Sequence, residues 1–209
     1  MDRTITTNKK GVSMAEMIAY VALYGVVMSL LASLVFVIIT SARKINSQSI
    51  LNRGSAIMYT EFLSEVIALN PDTVSDVETS ADSNTISITF EKKWKYNDEG
   101  ERIAIATDDA EYANKPVKLK YSYTKGNSNI DIIYTFLNGT TSTGEISLEY
   151  NMKITSVNSD AITDVFSVYT QNSSSKYVTV HGNLNYDNKK MEFNYIIPIF
   201  VIKNAEDGD

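Results

Sequence analysis

Residues 17–42 read MIAYVALYGVVMSLLASLVFVIITSA, 26 positions without a charged side chain. A bilayer's hydrocarbon core is about 30 Å thick, and a helix needs about 20 apolar residues to cross it. The run is long enough to span with room for tilt. It is too long for the apolar region of a cleaved secretory signal, about 7–15 residues. A transmembrane helix is therefore expected over about residues 17–42. The flanking charges tie, with Arg3, Lys9 and Lys10 before the run and Arg43, Lys44 and Arg53 after it, so counting positive charges gives no orientation. Size does discriminate: a polar stub precedes the run, and more than 150 residues come after it. The expected arrangement is a single-pass protein with its N-terminus cytoplasmic and its C-terminal domain extracytoplasmic.

The helix is expected to outlast the apolar run. Leu51, Met58, Phe62, Val66 and Leu69 recur at steps of 7, 4, 4 and 3, a helical stripe. Gln48, Asn52, Ser55, Glu61 and Glu65 occupy other faces. Pro71 pushes the preceding residue out of α geometry, so the helix should end near Asn70. The helical reading covers residues 12–70, and Ser13–Leu69 as one helix would be about 85 Å long. Gly25 and Gly54 are the positions where it could bend. Its second half is amphipathic and should pack on the domain C-terminal to it.

After Pro71 the period shortens to two. Thr85–Glu91, Val117–Tyr123 and Ile130–Leu137 alternate apolar and polar residues. Further strands are expected at Glu145–Ile154, Val165–Tyr169, Lys176–Tyr186 and Met191–Ile202, joined by short polar turns. The Thr/Ser/Gly stretch after Asn138-Gly139 reads as a loop, and the acidic, less regular stretch Lys92–Pro116 as a long loop with some local structure. Pro198 inside the last run marks an edge strand or a bulge. The fold class is thus α+β: a long N-terminal helix packed on an antiparallel β domain over residues 71–203, with an acidic tail at 204–209.

Composition narrows the chemistry. The net charge is −6, and an acidic chain offers no electrostatic footprint for nucleic acid. Without cysteine, and with His181 as its one histidine, the chain has no thiol nucleophile and little material for a histidine base or cluster. No enzymatic activity, cofactor or metal site is expected. His181 reads as a strand-face residue in register with Tyr177 and Thr179. The groups Asp108-Asp109-Glu111 and Asn97-Asp98-Glu99-Gly100 lack EF-hand spacing and read as solvated loops. Asn138-Gly139-Thr140 and Asn172-Ser173-Ser174 read as turns. Trp94 reads either as an exposed contact or as a satellite of the core.

One acidic residue stands at the start of the apolar run. A carboxylate inside a spanning helix costs roughly 2.5–3.5 kcal/mol on insertion scales and usually faces a partner, although near a helix end much of that cost is escaped. Lys9-Lys10-Gly11 stands just before the helix, and Glu16 lies five residues beyond the glycine. This arrangement resembles the signal of the type IV pilin and type II secretion pseudopilin superfamily. In that family a prepilin peptidase cuts a basic leader after its glycine. The resemblance implies that residues 1–11 are a leader with basic residues Lys9 and Lys10. It implies cleavage between Gly11 and Val12, N-methylation of Val12 and an assembly role for Glu16. Pairing of Glu16 with a neighbouring subunit's N-terminal amine would favour one axial register. Gly25 also matches a glycine common in the family, a point of helix flexibility.

Val12 stands where the family usually begins with Phe, Ser13-Met14-Ala15 replaces the usual residues before the glutamate, and Ser33 replaces a common proline. These departures favour a minor component over a bulk filament subunit. The amphipathic continuation and large β domain look similar to J-type pseudopilins and W-type minor pilins. The implied partners are a prepilin peptidase, sister pilin or pseudopilin subunits, an assembly platform protein and the membrane. The implied destination is a filament at the bacterial cell surface. The alternative is an uncleaved, single-pass, membrane-anchored extracellular binding protein. An anchored enzyme is disfavoured by the lack of a nucleophile motif.

Overall fold

The computed structural model describes residues 13–157, 162–172 and 175–200. The fold is α+β, with one long helix, α1 (Met14–Leu69), preceding antiparallel sheets. The chain divides into two compact units, Met1–Asn46 and Ser47–Asp209, and α1 contributes to both.

In the first unit, α1 is long and apolar enough to cross a membrane. Its large apolar side chains are exposed from Met14 to Ile45. Between Met17 and Ala42, where no residue is charged, this surface is suited to a non-aqueous environment.

In the second unit, α1 buries Ser47, Leu51, Gly54, Met58, Phe62, Val66 and Leu69. The five apolar residues of the predicted stripe are all among them; Ser47 and Gly54 continue it at the same spacing. The helix ends as its sequence requires. Asn70 takes a left-handed φ of 47°, and its N–H donates back to the carbonyls of Val66 and Ile67 at 3.0 and 3.1 Å. That is a C-terminal cap an asparagine tolerates. Gly54 has a packing role beside its place as a weak point of the helix. A Cβ there would collide with the thioether end of Met152, so the glycine is a notch that receives a fully buried side chain.

The first sheet contains β1 (Thr73–Val74), β2 (Glu78–Thr79), β3 (Thr85–Glu91), β6 (Pro116–Thr124), β7 (Asn129–Phe136) and β8 (Thr141–Ser147). Its order is β1-β3-β6-β7-β8, and β2 also pairs with β3. Alternation decides which face turns inward. Ile86, Ile88 and Phe90 of β3, and Val117, Leu119, Tyr121 and Tyr123 of β6, are buried, with Ile88 opposite Tyr121 and Phe90 opposite Leu119. The second sheet contains β9 (Lys153–Thr155), β10 (Phe166–Asn172), β11 (Ser175–Tyr186) and β12 (Lys189–Phe200). There β10 and β12 flank β11, and β9 also pairs with β11. Within the acidic stretch read as a loop, β4 (Trp94–Tyr96) and β5 (Arg102–Ala104) form a small separate hairpin.

Two expectations need correction. The Thr/Ser/Gly stretch is the start of β8, where Thr141–Gly144 pairs with Ile132–Thr135 of β7. It is an edge strand with exposed short polar side chains, and backbone pairing holds it without an apolar face. The strand expected over Glu145–Ile154 is broken. It leaves β8 at Ser147, makes a 3₁₀ turn over Glu149–Asn151 and re-enters as β9 in the other sheet. Tyr150 and Asn151 take φ values of 58° and 56° to make this step. Ile146, Leu148, Tyr150, Met152 and Ile154 alternate with polar residues in the sequence, which disguises the turn, although Tyr150 at its centre is exposed.

The end strand β12 carries Pro198 opposite Tyr177 without a shift in register. An edge accepts a residue without an N–H. At Gly182 of β11, a Cβ would lie 2.6 Å from the Thr155 carbonyl oxygen. The glycine thereby allows the close approach of β9.

Phe62 joins the layers. Its ring stacks on Tyr121 at 4.1 Å and meets Phe90 at 6.0 Å and Phe166 at 6.2 Å. Tyr123 ties the sheets together, since its hydroxyl accepts from the Ile154 N–H at 2.8 Å and can donate to the Asn127 carbonyl at 3.1 Å.

Candidate functional site

Ser13 is the N-cap of α1. Its carbonyl accepts the first helical bond, from the Met17 N–H at 3.1 Å. The Glu16 N–H donates to Ser13 Oγ at 3.2 Å, and the Ser13 N–H donates to Glu16 Oε2 at 2.9 Å. This reciprocal pair is a capping box, which satisfies two of the donors a helix start leaves open. Glu16 Oε1 accepts no hydrogen bond among the described residues. The Ser-x-x-Glu spacing was readable in the sequence as a helix start signal. The stronger apolar pattern drew the reading past it.

Downstream, three hydroxyls in the apolar run are satisfied within the helix. Ser29 donates to the Val26 carbonyl at 2.9 Å, Ser33 to Leu30 at 2.8 Å and Thr40 to Phe36 at 2.9 Å. Such back-bonding lets a hydroxyl sit in a medium that offers no partner. Gly25 has nothing within 4 Å of where a Cβ would stand, and the helix continues through it. Lys9, Lys10, Gly11 and Val12, the leader and cleavage residues implied by the resemblance, lie outside the described residues.

The remaining candidates have local explanations. His181 Nε2 lies 3.7 Å from Asp164 Oδ2, and Asp164 also accepts from the Ser156 hydroxyl. The serine and the histidine each reach the aspartate and do not form a nucleophile–base pair. Asp109 is paired with Lys95 at 2.6 Å. This contact lowers the pKa of Asp109 and raises that of Lys95. Asn97 Oδ1 accepts from the N–H groups of Glu99 and Glu101 at 3.1 and 2.7 Å, closing its loop on itself. No group of three or more metal-ligating side chains occurs among the described residues. The Arg102 guanidinium lies 4.7 Å over the Trp94 ring, within the small hairpin. Asn138 Oδ1 accepts from the Thr140 N–H at 2.9 Å as a turn. Ser173 and Ser174 lie outside the described residues.

Asp72 has a structural role that sequence reading missed. Its buried carboxylate accepts from the N–H groups of Lys93 and Trp94 at 3.0 and 2.9 Å. It anchors the start of the small hairpin beside the end of α1. No local sequence pattern signals this contact, because the partners are about twenty residues away.

No protein-family model matches the chain, and no curated protein or solved structure shows significant similarity to it.

Proposed function

We propose that the chain is a minor pilin or pseudopilin, a structural subunit of a type IV pilus-like or secretion filament. The observation that carries the reading is the apolar segment from Met17 to Ala42, exposed along its length, with Glu16 just before it. In a monomer such a surface requires lipid. In a filament it would be covered by the same segments of sister subunits. In this reading a prepilin peptidase cuts after Gly11, the new Val12 amine is methylated, and an assembly platform protein passes the subunit from membrane to filament. The capping box leaves Glu16 Oε1 available, so one carboxylate can cap its own helix and meet a neighbour's ammonium. The chain is not an enzyme in this reading. Before assembly it is a single-pass membrane protein with its β unit extracytoplasmic.

The capping box also favours a second reading, an uncleaved membrane-anchored binding protein in which Glu16 only caps the helix. Two measurements separate them. Co-expression with a prepilin peptidase should give a mature N-terminus at Val12 by mass spectrometry, and Gly11→Val should abolish it. A mature N-terminus elsewhere sinks the processing claim. Glu16→Gln retains the capping geometry, since glutamine serves at that position, but removes the charge. Filament incorporation should be lost while membrane insertion persists. If Glu16→Gln assembles like the parent chain, the anchored binding protein is the better reading.

A further inference from the structure

At one end of the second unit, the tip of the β11–β12 hairpin meets the Glu149–Asn151 turn. Together they line a concavity of about 650 Å³ that includes Lys153, Lys189 and Lys190 with Tyr150 and Tyr186. The three lysines are exposed, and Tyr150 and Tyr186 meet edge to face at 6.0 Å. Asp187 accepts from the Ser47 hydroxyl at 3.4 Å and keeps its charge, and Glu149 is paired with Arg53 at 3.2 Å. Lys153, Lys189, Lys190 and Arg53 outnumber these two carboxylates, although Lys190 has a partner of its own, on a chain whose net charge is −6.

The Ser47 contact places this cluster on the chain. Ser47 comes five residues after Ala42, the last residue of the apolar run. Five helical residues advance about 7–8 Å, and the headgroup layer on each side of the hydrocarbon core is about 5–8 Å deep. Whatever angle the two units adopt, the part of the β unit touching Ser47 is held by the chain near the headgroups. Lysines with long apolar stems and tyrosines with a polar tip are the side chains that settle at that depth.

We propose that this end of the β unit, presenting Tyr150, Lys153, Lys189 and Lys190, docks on an anionic lipid surface while the apolar run is in the membrane. The proposal rests on the run crossing a bilayer and does not depend on filament assembly. Docking holds the unit against the bilayer before any partner meets it. Each lysine near an anionic surface raises the docked population roughly fivefold.

The chain has no cysteine, so one introduced thiol can be labelled cleanly. Asn188→Cys, in the hairpin tip, carries an environment-sensitive fluorophore in the full chain. Glu99→Cys, in the loop closed by Asn97, serves as the comparator. Each is reconstituted into vesicles of phosphatidylcholine alone or with one part in three phosphatidylglycerol. The label at 188 should be quenched several-fold more by headgroup-labelled lipid in the anionic vesicles. About 1 M salt, where the Debye length is about 3 Å, should remove that difference. Combined Lys153→Glu, Lys189→Glu and Lys190→Glu should remove it too, with an unchanged circular dichroism spectrum. The label at 99 should not respond. Equal quenching at 188 in the two vesicle types, or no effect of salt on the parent chain, overturns the proposal. If quenching fails while the chain resists alkaline carbonate extraction, lipid docking is rejected and the membrane anchor stands. If carbonate extracts the chain, the membrane reading falls and this proposal falls with it.

Discussion

Replacing Phe62 with alanine should destabilise the second unit by about 3–5 kcal/mol. The side chain is 2% exposed and stands where α1 meets both sheets. Tyr121 and Phe90 touch it from one sheet and Phe166 from the other. Deleting the ring removes its transfer energy and leaves a void that three aromatic neighbours on two sheets cannot close together. Unfolding of the detergent-solubilised full chain, followed by near-ultraviolet circular dichroism, measures the loss. The control is Glu61→Ala on an exposed face of α1 one residue away, where the change should stay within about 0.5 kcal/mol. Equal effects at the two positions would mean that α1 does not pack on the sheets as described.

The second large effect is alkaline. Tyr121 and Tyr123 are fully buried, and burial raises both phenol pKa values above the ordinary 10.0. Below about pH 10, folded and unfolded chains both hold these protons, and the two groups give no pH dependence. Above it, the unfolded chain releases protons that the folded chain keeps, so stability falls as pH rises. The loss continues until the folded phenols themselves ionise. Its slope is about 1.4 kcal/mol per pH unit for each tyrosine. Both phenols therefore contribute a destabilisation that grows as the pH rises above 10. Tyr121→Phe should lower the alkaline slope with little effect at neutral pH, because its hydroxyl makes only a 3.4 Å contact with the Phe62 carbonyl. Tyr123→Phe should differ, costing about 1–3 kcal/mol even at neutral pH, because the buried Ile154 N–H loses its acceptor. Urea midpoints at pH 8, 10, 11 and 12 test all three statements. A Tyr121→Phe chain with the parent's alkaline slope would contradict them.

Much of the architecture was legible where one local rule acted alone. The stripe from Leu51 to Leu69, the stop at Asn70-Pro71 and the alternation of Thr85–Glu91 each depend on a period or a punctuating residue. What escaped depends on partners distant in sequence. Thr141–Gly144 is a strand because β7 offers it hydrogen bonds, and its own polar side chains give no sign of that. The change of sheet at Glu149–Asn151 hides inside an unbroken alternation. Gly54 reads in the sequence only as a weak point of the helix, and its packing partner, Met152, lies nearly a hundred residues later. At the candidate site, Glu16 was visible as an anomaly, while its bond to Ser13 lay in a spacing the apolar pattern overshadowed. The leader residues rest on resemblance alone.

The notch at Gly54 removes an ambiguity in how α1 can sit. Its buried stripe repeats nearly every turn, and apolar residues at Leu51, Met58, Phe62 and Val66 could in principle slide one turn along the sheets and still meet apolar neighbours. The Met152 thioether end disfavours such a slip, because only position 54 lacks the Cβ that it would meet. One missing carbon thus lifts the translational degeneracy of the stripe in favour of this height.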